Sequence, residues 1–220
     1  ADAAAAAACE IRAMTGFERV LVYRFDSEWN GEALGESRIE EYPSLLGLRF
    51  PASDIPAQAR ALYTKAPGRF VVDRDAVPAA VLAEPAASNA AVDLTYAYSR
   101  ALSPIHLEYQ RNLGVNGSMS ISILAEGALW GLVIGHHRRP HYVTPETRAL
   151  AGLVTDAFAL RVHELASDRA WRAQQAALTV QNALLRRLAG ADDAVAALTE
   201  GEPTLADLLD AGGAAVASGG

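Results

Sequence analysis

The chain has 220 residues, enough for one full domain and part of another, and 51% of them are apolar, so a sizeable core is available even though alanine inflates the figure. A formal charge of −7 and an isoelectric point near 5.2 argue against a nucleic-acid binder, because no basic face is left to neutralise phosphates. No apolar run approaches the roughly 20 residues that span a bilayer, the run from Ala3 to Ala8 lacks the basic flank of a signal peptide, and the single cysteine fits a reducing, cytoplasmic setting without disulfides.

Residues 1–15 read as an alanine-rich helix closed by Gly16. Cys9 on that helix has no basic neighbour to activate it and is expected as a small buried packing residue. Phe17 to Phe25 alternates, with Phe17, Arg19, Leu21, Tyr23 and Phe25 on one side, and predicts a strand; Glu32 to Ser37 is the expected partner. Arg38 to Phe50 has no period, holds Pro43 and Gly47, and is long for a connection, a trait of functional loops.

The stretch Phe50-Pro51-Ala52-Ser53-Asp54-Ile55-Pro56 then brackets Ser-Asp-Ile with two prolines. Proline fixes φ and pushes the preceding residue out of the α region, so no regular element continues through it. Ser53 or Asp54 is expected to cap the helix from Pro56 to Lys65, which makes a stiff elbow presenting a carboxylate. Arg69 to Asp73 predicts another strand, and Ala79 to Asn89 is rich in alanine and proline with little to specify it. Ser103-Pro104 opens a helix that runs to Gly114, with His106, Tyr109 and Leu113 on one face; such a histidine is most often a satisfied core residue.

Ser118, Ser120 and Ser122 alternate with Met119, Ile121 and Ile123 and predict a strand whose hydroxyls line either solvent or a polar pocket. Glu126-Gly127 is a turn, and Leu129 to His137 returns with Trp130, Leu132, Ile134 and His136 on one face. A three-residue turn centred on Gly127 would pair His136 with Ser118, whereas a two-residue turn would put it on the Met119 face; the pairing with Ser118 is expected. Thr144-Pro145-Glu146 starts a helix that continues towards Leu188, too long for the domain and suited to bundling across a dimer axis. The whole is α+β: an antiparallel sheet flanked by helices with a long C-terminal exit helix, the pattern of a GAF or PAS sensor domain. No phosphate loop or nucleophile elbow occurs, and the spacing of His136, His137 and His141 matches no strong metal-ligand motif.

The elbow, Arg100 with Ser103-Pro104-Ile105-His106-Leu107-Glu108-Tyr109, Arg111-Asn112-Leu113-Gly114-Val115, and Leu129-Trp130-Gly131-Leu132 with His136-His137 together resemble the chromophore-binding GAF domain of bacteriophytochromes. The resemblance implies residues 1–163 as a GAF domain, 164–190 as a connecting helix and 191–220 as the start of a PHY domain. It further implies a cofactor, the linear tetrapyrrole biliverdin. Asp54 would offer its carbonyl to the ring nitrogens, flanked by Ile55 and Pro56; His106 would contact the inner rings; His136 would bond the D-ring carbonyl. Tyr23, Phe50 and Tyr63 would line the D-ring pocket with Tyr109 nearby, and Arg69, Arg100, Ser118 and Ser120 would hold the propionates. Ile105 stands where plant-type and cyanobacterial members carry a linking cysteine, so the anchor is expected in a segment upstream, which the loop from Arg38 to Phe50 would encircle. Gly135 is expected to leave room beside His136.

The resemblance implies a red/far-red photoreceptor module, not itself an enzyme. Its change would pass through the long helix of a homodimer to an output module, commonly a histidine kinase, in a longer parent chain. A pigment-free GAF module that binds another small effector, or only dimerises, is the alternative.

Overall fold

One antiparallel sheet organises the fold. Its strands are β1 (Arg19–Phe25), β2 (Gly31–Arg38), β3 (Arg49–Phe50), β4 (Gly68–Val71), β5 (Gly117–Ala125) and β6 (Ala128–His137), in the order β3-β2-β1-β6-β5-β4. The computed structural model describes residues 2–82, 92–97, 100–209 and 211–217; from residue 83 onward the alanine- and proline-rich stretch to Asn89 lies outside them. The chain divides into two units, Ala1–Val162 and His163–Gly220. The α+β architecture with an antiparallel GAF-like sheet is as expected.

Helix α1 (Asp2–Thr15) and the first turns of α4 (Pro145–Ala189) cover one face of the sheet. Ala4, Ala7, Ala8 and Ile11 recur at helical spacing and are all buried against Val20, Val22, Met119 and Val133. From α4 the packing residues are Ala151, Phe158 and Ala159, whereas Leu150, Leu153 and Leu160 point outward. Cys9 is exposed, contrary to expectation, because the small-residue stripe that meets the sheet passes through its neighbours Ala7, Ala8 and Ile11. Phe17 precedes β1 and packs on this α1 face, so it does not share the side of Arg19 and Tyr23. Gly135 also belongs here: a Cβ on it would stand 2.9 Å from the Phe17 ring, so the space it leaves is filled by Phe17 and not beside His136.

The other face carries α2 (Ala57–Lys65) and α3 (Pro104–Asn112), and a second apolar cluster of Tyr23, Phe25, Tyr63, Leu129 and Leu132. His136 pairs with Ser118 as expected, but by a different route. The turn has two residues, Glu126 and Gly127, both at positive φ (51° and 78°), and Ala125 pairs with Ala128. A bulge between Ile123 and Leu124 then inserts one extra residue, Trp130, and restores the register. Trp130 therefore leaves the face of Leu132 and His136 and packs edge-on against Phe158.

Within the second unit, α5 (Ala194–Thr199) is capped by Asp193, whose carboxylate accepts from the backbone N–H groups of Val195 and Ala196. Arg187 ties the following turn by donating to the carbonyls of Glu200 and Pro203. No helix among the described residues is long and apolar enough to cross a membrane.

Candidate functional site

Strand register builds the site in rows on the α2/α3 face. Arg19, His136, Ser118 and Val71 stand side by side across β1, β6, β5 and β4; Leu21, Ile134, Ser120 and Arg69 form the next row, and Tyr23, Leu132 and Ser122 the third. Opposed residues on antiparallel strands share a face, so period-two alternation brings all of these to one surface. The serine row is not solvated: Ser118 and Ser122 are buried. Ser118 Oγ accepts from Gln110 Nε2 at 2.6 Å, and Ser122 Oγ donates to the Tyr63 carbonyl at 2.7 Å, fastening α3 and α2 to the sheet.

Tyr23 sits in an aromatic wall, its ring 5.4 Å from Phe25 and 5.7 Å from Phe50. Burial raises its phenol pKa, helped by the charges of Tyr109 and Asp54. Gly31 makes this placement possible, since a Cβ there would fall 1.6 Å from Tyr23 Cζ. Ile55 packs against the same cluster, and Tyr63 joins it from α2.

The elbow has a form the prolines alone did not specify. Ala52–Asp54 makes a 3₁₀ turn, and Pro56 is the N-cap residue of α2, so neither Ser53 nor Asp54 caps that helix. Two side chains hold the turn instead: Asn30 Oδ1 accepts from Ala52 N at 3.2 Å, and Arg60 Nη1 donates to the Ile55 carbonyl at 2.6 Å while its guanidinium lies 4.7 Å from the Trp29 ring centre. Asp54 is half-buried, and burial raises its carboxyl pKa. Pro56 is exposed and shapes the elbow without lining the pocket wall.

Ser103 caps α3 by accepting from His106 N at 3.2 Å, and the His106 and Tyr109 rings stack 6.3 Å apart at 24°. Burial, then the charge of Arg69, lowers the His106 pKa. The same charge, after burial, lowers that of Arg100. Arg100 donates to the carbonyls of Leu94 and Thr95 in its own segment and bonds none of the other predicted residues. His136 is buried, and burial with the Arg19 charge pushes its pKa down to about 3.

Three participants went unnoticed in the sequence. Arg19 donates to His136 Nδ1 from Nη2 at 2.9 Å and from Nε at 3.2 Å. Gln110 holds Ser118, and Tyr42 from the loop after β2 lies under Arg19. The available signal for Arg19 was its period-two spacing with Tyr23. Among the described residues, Arg69 Nε and Gln110 Oε1 are buried without a hydrogen-bond partner, as is Arg12 Nε on α1. Buried orphans cost about 1–3 kcal/mol each. The surface is therefore suited to a flat apolar ligand that brings an anionic group to Arg69 and further donors or acceptors along the serine row.

A separate cavity of about 380 Å³ between β4 and α4, lined by Phe70, Ile121, Arg148 and Asp156 among others, contains none of the predicted site residues. His137 and His141 stack on each other at 4.6 Å and are not joined by His136, which bonds Arg19. Among the described residues no group of three His, Cys, Asp or Glu could hold a metal ion.

The family model of the GAF domain matches residues 1–162. A bacteriophytochrome of Xanthomonas campestris is 38% identical over 223 residues, covering 100% of this chain and 35% of its own, and one of Pseudomonas aeruginosa is 41% identical over 212 residues, covering 96% and 29%. The chain thus spans about a third of the length of these relatives. Among solved structures, the Stigmatella aurantiaca phytochrome photosensory core module superposes with a TM-score of 0.84 at 38% identity over 94% of this chain and 41% of that one. With the family model matching residues 1–162 and these relatives covering nearly the whole chain, the chain belongs to the GAF domain family and is homologous to the bacteriophytochromes.

Proposed function

We propose that the first unit is a red/far-red photosensory module that binds biliverdin on the α2/α3 face of its sheet. The observation that carries this reading is the convergence there of an aromatic wall, a buried guanidinium nitrogen without a partner, and two histidines of different environment. A bilin, when bound, supplies visible-light absorption and rotation of its terminal ring. The chain's own residues do the rest. Arg69 and Arg100, with Ser118 and Ser120, take the two propionates, for which a guanidinium offers parallel donors. Tyr23, Phe50 and Tyr63 wall the terminal ring, with Ile55 beneath and Tyr109 stacked on His106. Asp54 turns its carbonyl to the ring nitrogens, on an elbow held by Pro56 and Arg60. His106 orders the inner rings, and His136 holds the terminal carbonyl.

Cys9 is on the helix that covers the opposite face, so the covalent anchor comes from elsewhere in the parent chain. Residues 164–190 act as connecting helix and 191–220 as the beginning of a PHY domain. The outward leucines Leu150, Leu153 and Leu160 support a helix-to-helix homodimer, through which the change reaches an output histidine kinase. Mixing the 220-residue chain with biliverdin and recording its absorbance tests the reading. A sharp red band at roughly 700 nm, from a protonated extended bilin, is expected; its absence would favour a GAF module for a different effector.

A further inference from the structure

Arg19 is almost wholly buried, at 2% exposure, yet its guanidinium bonds or stacks on a histidine ring, a tyrosine face and a loop carbonyl, and the Glu36 carboxylate acts on it only through space. Arginine carries only donors and stays protonated. Both of its contacts to His136 end on Nδ1, so that nitrogen must be the bare acceptor and the ring proton must sit on Nε2. We propose that Arg19 is a positioning residue that locks His136 as the neutral Nε2–H tautomer, giving the pocket an obligate hydrogen-bond donor, and that the loop after β2 holds Arg19 in place.

The second half of the proposal rests on what surrounds the guanidinium. The Tyr42 ring centre lies 4.6 Å from Arg19 Cζ on one side, and Arg19 Nη1 reaches the Pro43 carbonyl at 3.4 Å. Tyr42 is in turn clamped: Arg138 lies 5.4 Å from its ring, its hydroxyl donates to Glu18 at 3.3 Å, and Arg38 donates to its carbonyl at 2.7 Å. Glu18 and Arg138 close the clamp with two bonds of 3.0 Å. A continuous set of contacts therefore runs from the loop to the histidine without passing through the pocket. Desolvation and the cation on Nδ1 both disfavour a second proton on the ring, consistent with a singly protonated His136 across the physiological range. The charged or titratable groups that face the pair are His106 and Tyr109 from α3, Glu36 and Arg38 from β2, and Tyr42 from the loop; Ser118 of β5 is neutral.

The tautomer lock stands on the chain alone. Its meaning for a bilin, a donor to the terminal carbonyl that cannot turn into an acceptor, rests on the proposed function. The test is a long-range ¹H–¹⁵N correlation spectrum of the histidine side chains in the pigment-free chain, with His136→Gln assigning the resonances. A bare Nδ1, a protonated Nε2 and no titration of His136 between about pH 5 and 8 are expected. In Arg19→Met the ring should show mixed tautomers and titrate towards the ordinary value of about 6.5; Arg19→Lys, still a pure donor, should retain the bare Nδ1. Tyr42→Leu, remote from the pocket, should shift the same resonances in the direction of Arg19→Met but less far. Should Arg19→Met not fold, the native spectrum and Arg19→Lys decide the matter. A protonated Nδ1 in the native chain, or an Arg19→Met spectrum in which His136 is unchanged, overturns the lock; an unshifted His136 in Tyr42→Leu overturns the part given to the loop. Failure of the native chain to develop a red band with biliverdin would sink the pigment reading while leaving these spectra to judge Arg19.

Discussion

Replacing Gly31 with alanine would drive a methyl group into the ring of Tyr23. The Cβ would stand 1.6 Å from Cζ, 1.7 Å from the hydroxyl and 2.2 Å from Cε1, whereas unbonded carbons meet at about 3.5–4.0 Å. The ring must therefore retreat by about 2 Å, and it is already packed against Phe25 at 5.4 Å and Phe50 at 5.7 Å. Overpacking of this kind costs about 1–3 kcal/mol. Gly31 is not in the left-handed region, so the backbone conformation itself does not oppose alanine, and loss of glycine's freedom in the unfolded chain would by itself add about 0.5–1 kcal/mol of stability. Urea unfolding reads the sum: with a slope of about 1–3 kcal/mol per molar, the midpoint should fall by about 0.5–1 M. Tyr23→Leu removes the far end of the ring that Gly31 touches. In that background Gly31→Ala should be neutral or slightly stabilising, which gives a coupling of about 1–3 kcal/mol in the double-mutant cycle. An equal cost in both backgrounds would refute the steric account, and with it the claim that Gly31 sets the position of the Tyr23 wall.

Arg69→Met deletes the guanidinium, whose Cζ lies 5.9 Å from the Tyr63 ring centre and whose Nε has no hydrogen-bond partner; biliverdin affinity should drop about 10- to 100-fold, the worth of one charge-assisted contact. Biliverdin dimethyl ester, which has no carboxylates, should lose far less, and an equal loss for acid and ester in a titration of the red band would remove Arg69 from propionate binding. Glu18→Gln tests the clamp on Tyr42: the Glu18 carboxyl is held down from 4.5 to about 2, first by its side-chain bond to Arg138. A depressed carboxyl stabilises the fold above its ordinary pKa and loses that contribution as pH falls towards its folded value. Because Arg138 is 47% exposed, solvent screening limits the effect to about 1 kcal/mol at pH 7. The gap between native and variant urea midpoints should narrow as pH falls from about 4.5 towards 2, and a gap independent of pH would exclude the ion pair as its source.

Much of this protein is written in local pattern. Small residues at helical spacing in α1, the serine–apolar alternation of β5, the Ser103-Pro104 and Thr144-Pro145 helix starts and the long α4 follow from side-chain periodicity and capping, which need no knowledge of distant contacts. The geometry of the site depended on more. The face of His136 turned on a bulge at Trp130, a choice made by the packing of Trp130 against Phe158 and not by the turn residues. Cys9 faces outward because an alanine-rich helix offers several apolar faces and only the docked sheet selects among them. The two prolines of the elbow bar a regular element, but where the 3₁₀ turn ends and the helix begins was decided by Asn30 and Arg60, which reach it from another turn and the next helix. Arginine is ordinarily a surface residue, so the period-two spacing with Tyr23 gives Arg19 its face but not its burial; only pairing of β1 with β6 brings its guanidinium to a histidine 117 positions away, where the scarcity of water makes a single proton's location matter.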